Sequence, residues 1–157
     1  MKDAVAPTGA SSTPTGQDEL NTGLLLFIPY RAMERQVFAT LRDAGYDDFT
    51  IAQARVFQRI AAEGSRLTVL AEQAQITKQS AGFLVDALEK AGYVERVPDP
   101  ADARARLVVV SPRGSALVAR SAEVVAQIEA EWEVHLGTRG WHDLRRLLSR
   151  LREITDD

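Results

Sequence analysis

Cysteine is absent from this 157-residue chain, which removes disulfides, thiolate metal sites and thiol redox sensing from consideration. Histidine is scarce: only His135 and His142 occur, outside any ligand-spaced cluster, so no metal site is expected. No apolar run approaches the roughly 20 residues that cross a bilayer. The first residues, MKDAVAPTGASSTPTGQDE, lack an apolar signal-peptide core, so a cytoplasmic protein with no membrane partner is expected. Also missing are a glycine-rich phosphate loop, a nucleophile elbow and a carboxylate pair in a recognisable setting. An enzyme is therefore not expected, nor a cofactor. A strong charge imbalance is lacking too, with a net charge of -3 and a pI near 5.5. Residues 64–113 hold seven Lys/Arg and six Asp/Glu, net +1, which leaves -4 for the remainder.

Residues 1–19, rich in Ala, Ser, Thr, Pro and Gly, offer nothing periodic to bury and read as a disordered tail. The remainder, 20–157, reads as a single, mainly α domain of about six helices with a small β-hairpin. From Leu20 to Ala44, Leu24, Phe27, Ile28, Met33, Val37, Phe38 and Leu41 recur at helical spacing. Pro29 should kink this helix or split it near Ile28, and Gly45 should stop it. Thr50 and Gln53 form a capping-box pattern, predicting a second helix from Ile51 to Gly64 with Ala54, Val56, Phe57 and Ile60 inward. Ser65 is the expected N-cap of a short third helix that buries Leu67, Leu70, Ala71 and Ala74. Thr77 caps a fourth, whose inward stripe is Ala81, Leu84, Val85 and Leu88 and whose end is Gly92.

Residues 93–97 and 106–111 read as strands joined by the polar segment PDPADARA. Ser111 and Pro112 open a fifth helix that runs to about Leu136 with Leu117, Val124, Val125, Ile128 and Trp132 on its stripe. After Gly137 a sixth carries Trp141, Leu144, Leu147, Leu148, Leu151 and Ile154.

A short helix, a tight turn, a second helix with Lys, Gln and Ser at its start, and an Asp/Arg-tipped hairpin form the order of a winged helix-turn-helix. That order points to duplex DNA. The inward stripe of the fourth helix leaves Lys78, Gln79, Gly82 and Asp86 outward. Lys78 suits phosphate or guanine, and Gln79 suits adenine N6 and N7. Thr77 and Ser80 stand where a helix N-terminus meets the sugar-phosphate backbone. Gly82 lets the backbone lie close to the groove floor. Phe83 borders the two faces; the core is its expected place, a thymine methyl the other reading. At the hairpin tip, Arg104 and Arg106 stand beside Asp99 and Asp102, so one Arg–Asp pair can stiffen the loop while the other Arg enters the minor groove. A plain surface ion-pair cluster is the competing reading. Ser65 and Arg66 are candidate phosphate anchors.

The run LAEQAQITKQSAGFLVDALEKAGYVERVPDPADARARLVVVSPRG resembles the DNA-binding core of the MarR family of bacterial transcription regulators. The Asp/Arg-rich tip, the hydrophobic strand and the Ser-Pro-Arg-Gly that follows carry the likeness, and one long helix before the reader with two after it extends it over roughly 20–155. The resemblance implies an obligate homodimer with interlocking terminal helices, recognition helices in successive major grooves of a near-palindrome, and repression. It also implies small aromatic or anionic effectors held between the dimer helices and the reader. Phe27, Tyr30, Arg31 and Arg55 could line such a crevice, although ordinary core aromatics and surface arginines are the favoured reading. Without cysteine, the peroxide-sensing branch of the family does not apply.

Dimerisation has support in the residues themselves. Trp141, Leu144, Leu148 and Leu151, with Val124, Ile128 and Trp132, leave stripes too apolar to expose on a monomer. The expected division is dimerisation helices at 20–45 and 112–156 around a DNA-binding lobe at 50–111. A winged helix that serves as a protein–protein scaffold is the alternative, separable because phosphate contacts make duplex binding salt-dependent.

Overall fold

Asn21 accepts the Leu24 amide on its side chain at 3.0 Å and so starts the first helix, α1, at Thr22–Asp43. The computed structural model describes residues 20–155; the tail expected at 1–19 lies outside them. Of the two outcomes expected at Pro29, a kink or a split, the split does not occur, since Pro29 sits inside a single α1. Its missing donor would have served the carbonyl of Leu25, an exposed residue where water can take over. The chain leaves α1 through Gly45 (φ +88°): Gly45 N–H bonds Arg42 O and Tyr46 N–H bonds Leu41 O, both at 3.0 Å, a Schellman closure.

Thr50 and Gln53 form the expected capping box at the start of α2, Ile51–Phe57. This helix does not reach Gly64. After Phe57 the bonding tightens to Arg59 N–H on Val56 O and Ile60 N–H on Phe57 O. The chain must turn there to lay Ser65–Arg66 against the hairpin as a short strand, β1. Gly64 (φ +94°) permits the turn, since a Cβ there would stand 2.8 Å from Val109 Cγ1. Ser65 is consequently not a helix cap. Its buried hydroxyl accepts the Ala61 amide at 3.0 Å, and Arg66 takes the N-cap position of α3, Leu67–Gln73, without a side-chain bond.

The turn after α3 repeats the Schellman pattern with Gln75 at φ +54°. Thr77 then caps α4, Lys78–Lys90, through the Ser80 amide at 3.1 Å. Two strands follow, β2 at Val94–Asp99 and β3 at Asp102–Val110, longer than expected because PDPADARA contributes to both. The antiparallel sheet runs β1-β3-β2, with Val94 opposite Val110 and Val97 opposite Leu107. Ser111 caps the last helix, α5, Pro112–Arg152, and Pro112 occupies its first turn. Gly137 (φ +72°, ψ 152°) interrupts α5, so the expected fifth and sixth helices meet at a break and five helices are counted where about six were foreseen.

The core gathers Leu41, Val56, Phe57, Leu70, Val85, Leu88, Val94, Val108 and Leu117 around Phe49 and Tyr93. Phe49 stacks on Phe38 at 6.0 Å and meets Phe57 and Tyr93 edge-on at 5.5 and 5.2 Å. These contacts fix the sheet and α4 to α1 and α5, so the winged lobe and the long helices share one packed interior. No helix of the described residues is long and apolar enough to cross a membrane.

Candidate nucleic-acid interface

The amino end of α4 is an exposed polar surface of the winged lobe. Ala81, Val85 and Leu88 are buried, and the 100° helical step then turns Gln79, Phe83, Asp86 and Lys90 to the opposite face. Thr77, Lys78, Gln79 and Ser80 are all exposed, and the Thr77 hydroxyl bonds Ser80 Oγ at 2.9 Å. Gly82 is half-buried with ordinary helical geometry; a Cβ there would meet only Leu67 Cδ2, at 3.7 Å. Phe83 contradicts the core expectation. It is 75% exposed, because its wheel position falls opposite the packing stripe.

Asp86 is outward but not free. Arg96, on β2, holds Asp86 at 2.5 Å and also pairs with Glu89. Sequence reasoning missed Arg96. Its strand partner Val108 is buried, but nothing local says that β2 lies beside the carboxylates of α4.

At the wing, the expected Arg–Asp pairing is made by a different arginine. Arg66 Nε donates to Asp99 Oδ2 at 2.7 Å, and its terminal nitrogen lies 2.5 Å from the same oxygen and 3.9 Å from Asp102. Asp99 also accepts the Ala101 amide at 2.8 Å. The Ala101 amide first, and then the Arg66 guanidinium, hold the Asp99 carboxyl below the usual carboxylate range. Arg104 and Arg106 are both exposed, and neither side chain pairs with an acid among the described residues. Of the two proposed anchors, Ser65 is turned inward and Arg66 is committed to the wing.

Behind this face, buried Tyr93 donates its hydroxyl to Asp48, and Arg113 lies 4.6 Å over its ring while reaching Asp48 at 3.1 Å. Burial, aided by the Asp48 carboxylate, pushes the phenol above its ordinary range and keeps it protonated. The cluster ties the segment before α2, the base of the wing and the start of α5. Gly114 completes this joint: a Cβ there would collide with the Tyr93 carbonyl and stand 2.9 Å from Val110 Cγ1.

Phe27, Tyr30, Arg31 and Arg55 are not brought into one crevice. A hollow of about 780 Å³ between α1 and the two halves of α5 is lined by Phe27, Tyr30, Trp132, His135, Leu144 and Leu148. A second, of about 400 Å³, lies among α1, α2 and α5 and takes Tyr30 and Arg55 with Phe38, Gln58 and Ser121. Arg31 lines neither, being paired with Glu34 one turn on.

The MarR family profile matches residues 47–105, from just before α2 into the start of β3. Among solved structures, a transcriptional regulator from Thermotoga maritima is 25% identical, with a TM-score of 0.64 over 85% of this chain and 93% of its own. Wild-type MarR from E. coli, in its apo form, is 25% identical, with a TM-score of 0.67 over 85% and 98%. A MepR mutant from S. aureus bound to an oligodeoxyribonucleotide shares the fold at 18% identity, with a TM-score of 0.59 over 87% and 99%. No curated protein matches the chain in sequence.

Proposed function

We propose that this chain is a MarR-family transcriptional regulator that represses transcription by binding a near-palindromic operator as a homodimer. The observation that carries this is the exposed amino end of α4, together with two exposed wing arginines that pair with no acid among the described residues. Lys78 and Gln79 read base edges, Thr77 and Ser80 hold phosphate, and Gly82 lets the helix seat deeply. Arg104 and Arg106 enter the flanking minor groove. Arg66 acts through Asp99, fixing the wing's angle rather than gripping phosphate. The oligodeoxyribonucleotide bound to the MepR mutant of the same fold is in keeping with DNA as the partner.

Exposure supports the proposed domain division. Leu25, Phe27, Ile28 and Tyr30 at the start of α1, and Leu147 and Leu151 near the end of α5, are all exposed. A contiguous apolar surface of this kind is the expected seat of a second copy, leaving 50–111 as the reading lobe. The 400 Å³ hollow beneath α2, with aromatic walls and Arg55 at its edge, suits a small aromatic anion that would shift the reader against α1 and α5.

The test is binding of the full chain to duplexes enriched from a random pool, at about 50 and 200 mM salt. A dimer whose affinity falls steeply with salt is expected. Lys78→Ala with Gln79→Ala should abolish sequence preference while leaving oligomeric state and melting temperature nearly unchanged. Salt-independent binding, or loss of the dimer in that variant, overturns the assignment.

A further inference from the structure

Phe83 stands in the wrong place for a phenylalanine. Within the winged lobe the other large apolar residues counted as exposed, Ile51 and Val69, show 37% and 39% of their surface, whereas Phe83 shows 75%. It packs on no other ring. It lies one turn beyond Gln79 on the same outward stripe, flanked by polar residues and by Gly82. Nothing inside the lobe requires that glycine, since an added Cβ would meet only Leu67 at 3.7 Å. An apolar ring projected from an otherwise polar helix face calls for an apolar target outside the protein.

We infer that Phe83 is a specificity-determining residue that reads the 5-methyl group of a thymine in the major groove. The inference rests on α4 being the DNA reader. The major groove presents one apolar group on its floor, the thymine methyl, and a phenyl ring can close over it while excluding water. Position also fixes where that thymine lies. Four residues along α4 advance about 6 Å, and base pairs repeat every 3.4 Å or so, so the thymine falls within about two base pairs of the adenine paired with Gln79.

The experiment compares thymine and uracil, which differ only in that methyl, one position at a time across the operator enriched by the full chain. Wild type should lose about fourfold in affinity for each contacted methyl removed. Phe83→Ala should bind the thymine duplex more weakly, ignore the uracil change, and keep the wild-type salt slope because no charge is lost. Phe83→Leu should retain part of the thymine preference. Salt-sensitive binding by wild type with no uracil-sensitive position overturns the inference and leaves the DNA reader standing. So does a uracil effect that Phe83→Ala still shows in full. Failure of wild type to bind any duplex at low salt overturns the reader itself.

Discussion

Arg66 and Asp99, 33 residues apart, join through two guanidinium nitrogens at 2.7 and 2.5 Å and lock the start of α3 to the tip of the wing. One partner begins the helix-turn-helix and the other ends β2, so this pair sets the angle between the helix-turn-helix and the wing. A wing held this way costs less to order on binding than a loose one.

A pH dependence follows. The folded Asp99 carboxyl titrates below the ordinary carboxylate range, so the native state gains stability from its ionised form. That contribution is complete above about pH 4–5 and is lost as the pH falls through the lower folded value. Thermal melts of wild type and Asp99→Asn should differ at neutral pH, with the variant lower, and converge on acidification. A constant gap across the range would remove the ion pair as its cause.

Two glycines should respond oppositely to alanine. Gly114 is enclosed by the Tyr93 carbonyl, Val110 and Phe57, so Gly114→Ala must push α5 off the wing base and should cost about 1–3 kcal/mol in urea unfolding. Gly82 has room for a methyl, so Gly82→Ala should raise stability by up to about 1 kcal/mol. The same substitution should weaken operator binding by keeping the backbone from the groove floor. A Gly82→Ala protein that is both more stable and fully active would mean that the helix does not seat on that side.

Much of this architecture was written locally. Thr50, Thr77 and Ser111 cap the helices they were expected to cap, and Gly45 and Gly92 close α1 and α4. Each signal needs only neighbours within four residues. The misplaced features depend on distant partners. Ser65 carries a cap residue's chemistry, yet pairing with Val108 on β3 draws it into the sheet. Arg66 was legible as a cation but not as the partner of Asp99, because that contact needs the hairpin to return beside α3. Phe49 lies in a non-repeating segment and so escaped a search for periodic apolar positions, although Phe38, Tyr46 and Phe57 gather around it and Tyr93. Phe83 was misjudged because an aromatic is usually inside, and the wheel angle that puts it outside was outweighed by residue type.

The turn of the helix-turn-helix offers a stabilising change. Gln75 adopts a left-handed φ of +54° that glycine enters without a Cβ penalty. Gln75→Gly should therefore raise stability by roughly 0.5–1 kcal/mol and leave α3 and α4 unmoved. A destabilised variant in urea titration would show that the Gln75 side chain contributes more than its backbone costs.

The break in α5 allows a sharper test. Arg145 donates to Glu129 at 3.0 Å, although sixteen residues of straight helix would hold them about 24 Å apart. The two halves therefore fold back on each other at Gly137, and Trp132 meets Trp141 edge-on at 6.4 Å. Gly137 sits at φ +72°, ψ 152°, a region open in practice to glycine, with nothing within 4 Å of an added Cβ. Alanine there meets backbone strain rather than a clash. Gly137→Ala should either pay about 1–3 kcal/mol to keep the bend or relax toward a continuous helix that separates the tryptophans. Near-ultraviolet circular dichroism distinguishes these outcomes, since the paired-indole signal survives the first and fades in the second. Arg145→Ala is the control: it removes an exposed ion pair worth at most about 1 kcal/mol and should leave the indole signal intact. An opened bend would also strip one wall from the 780 Å³ hollow, so sedimentation of Gly137→Ala should show a weakened dimer wherever the indole signal is lost. A Gly137→Ala protein with wild-type stability and signal would place the cause of the bend in the packing of the flanking helices.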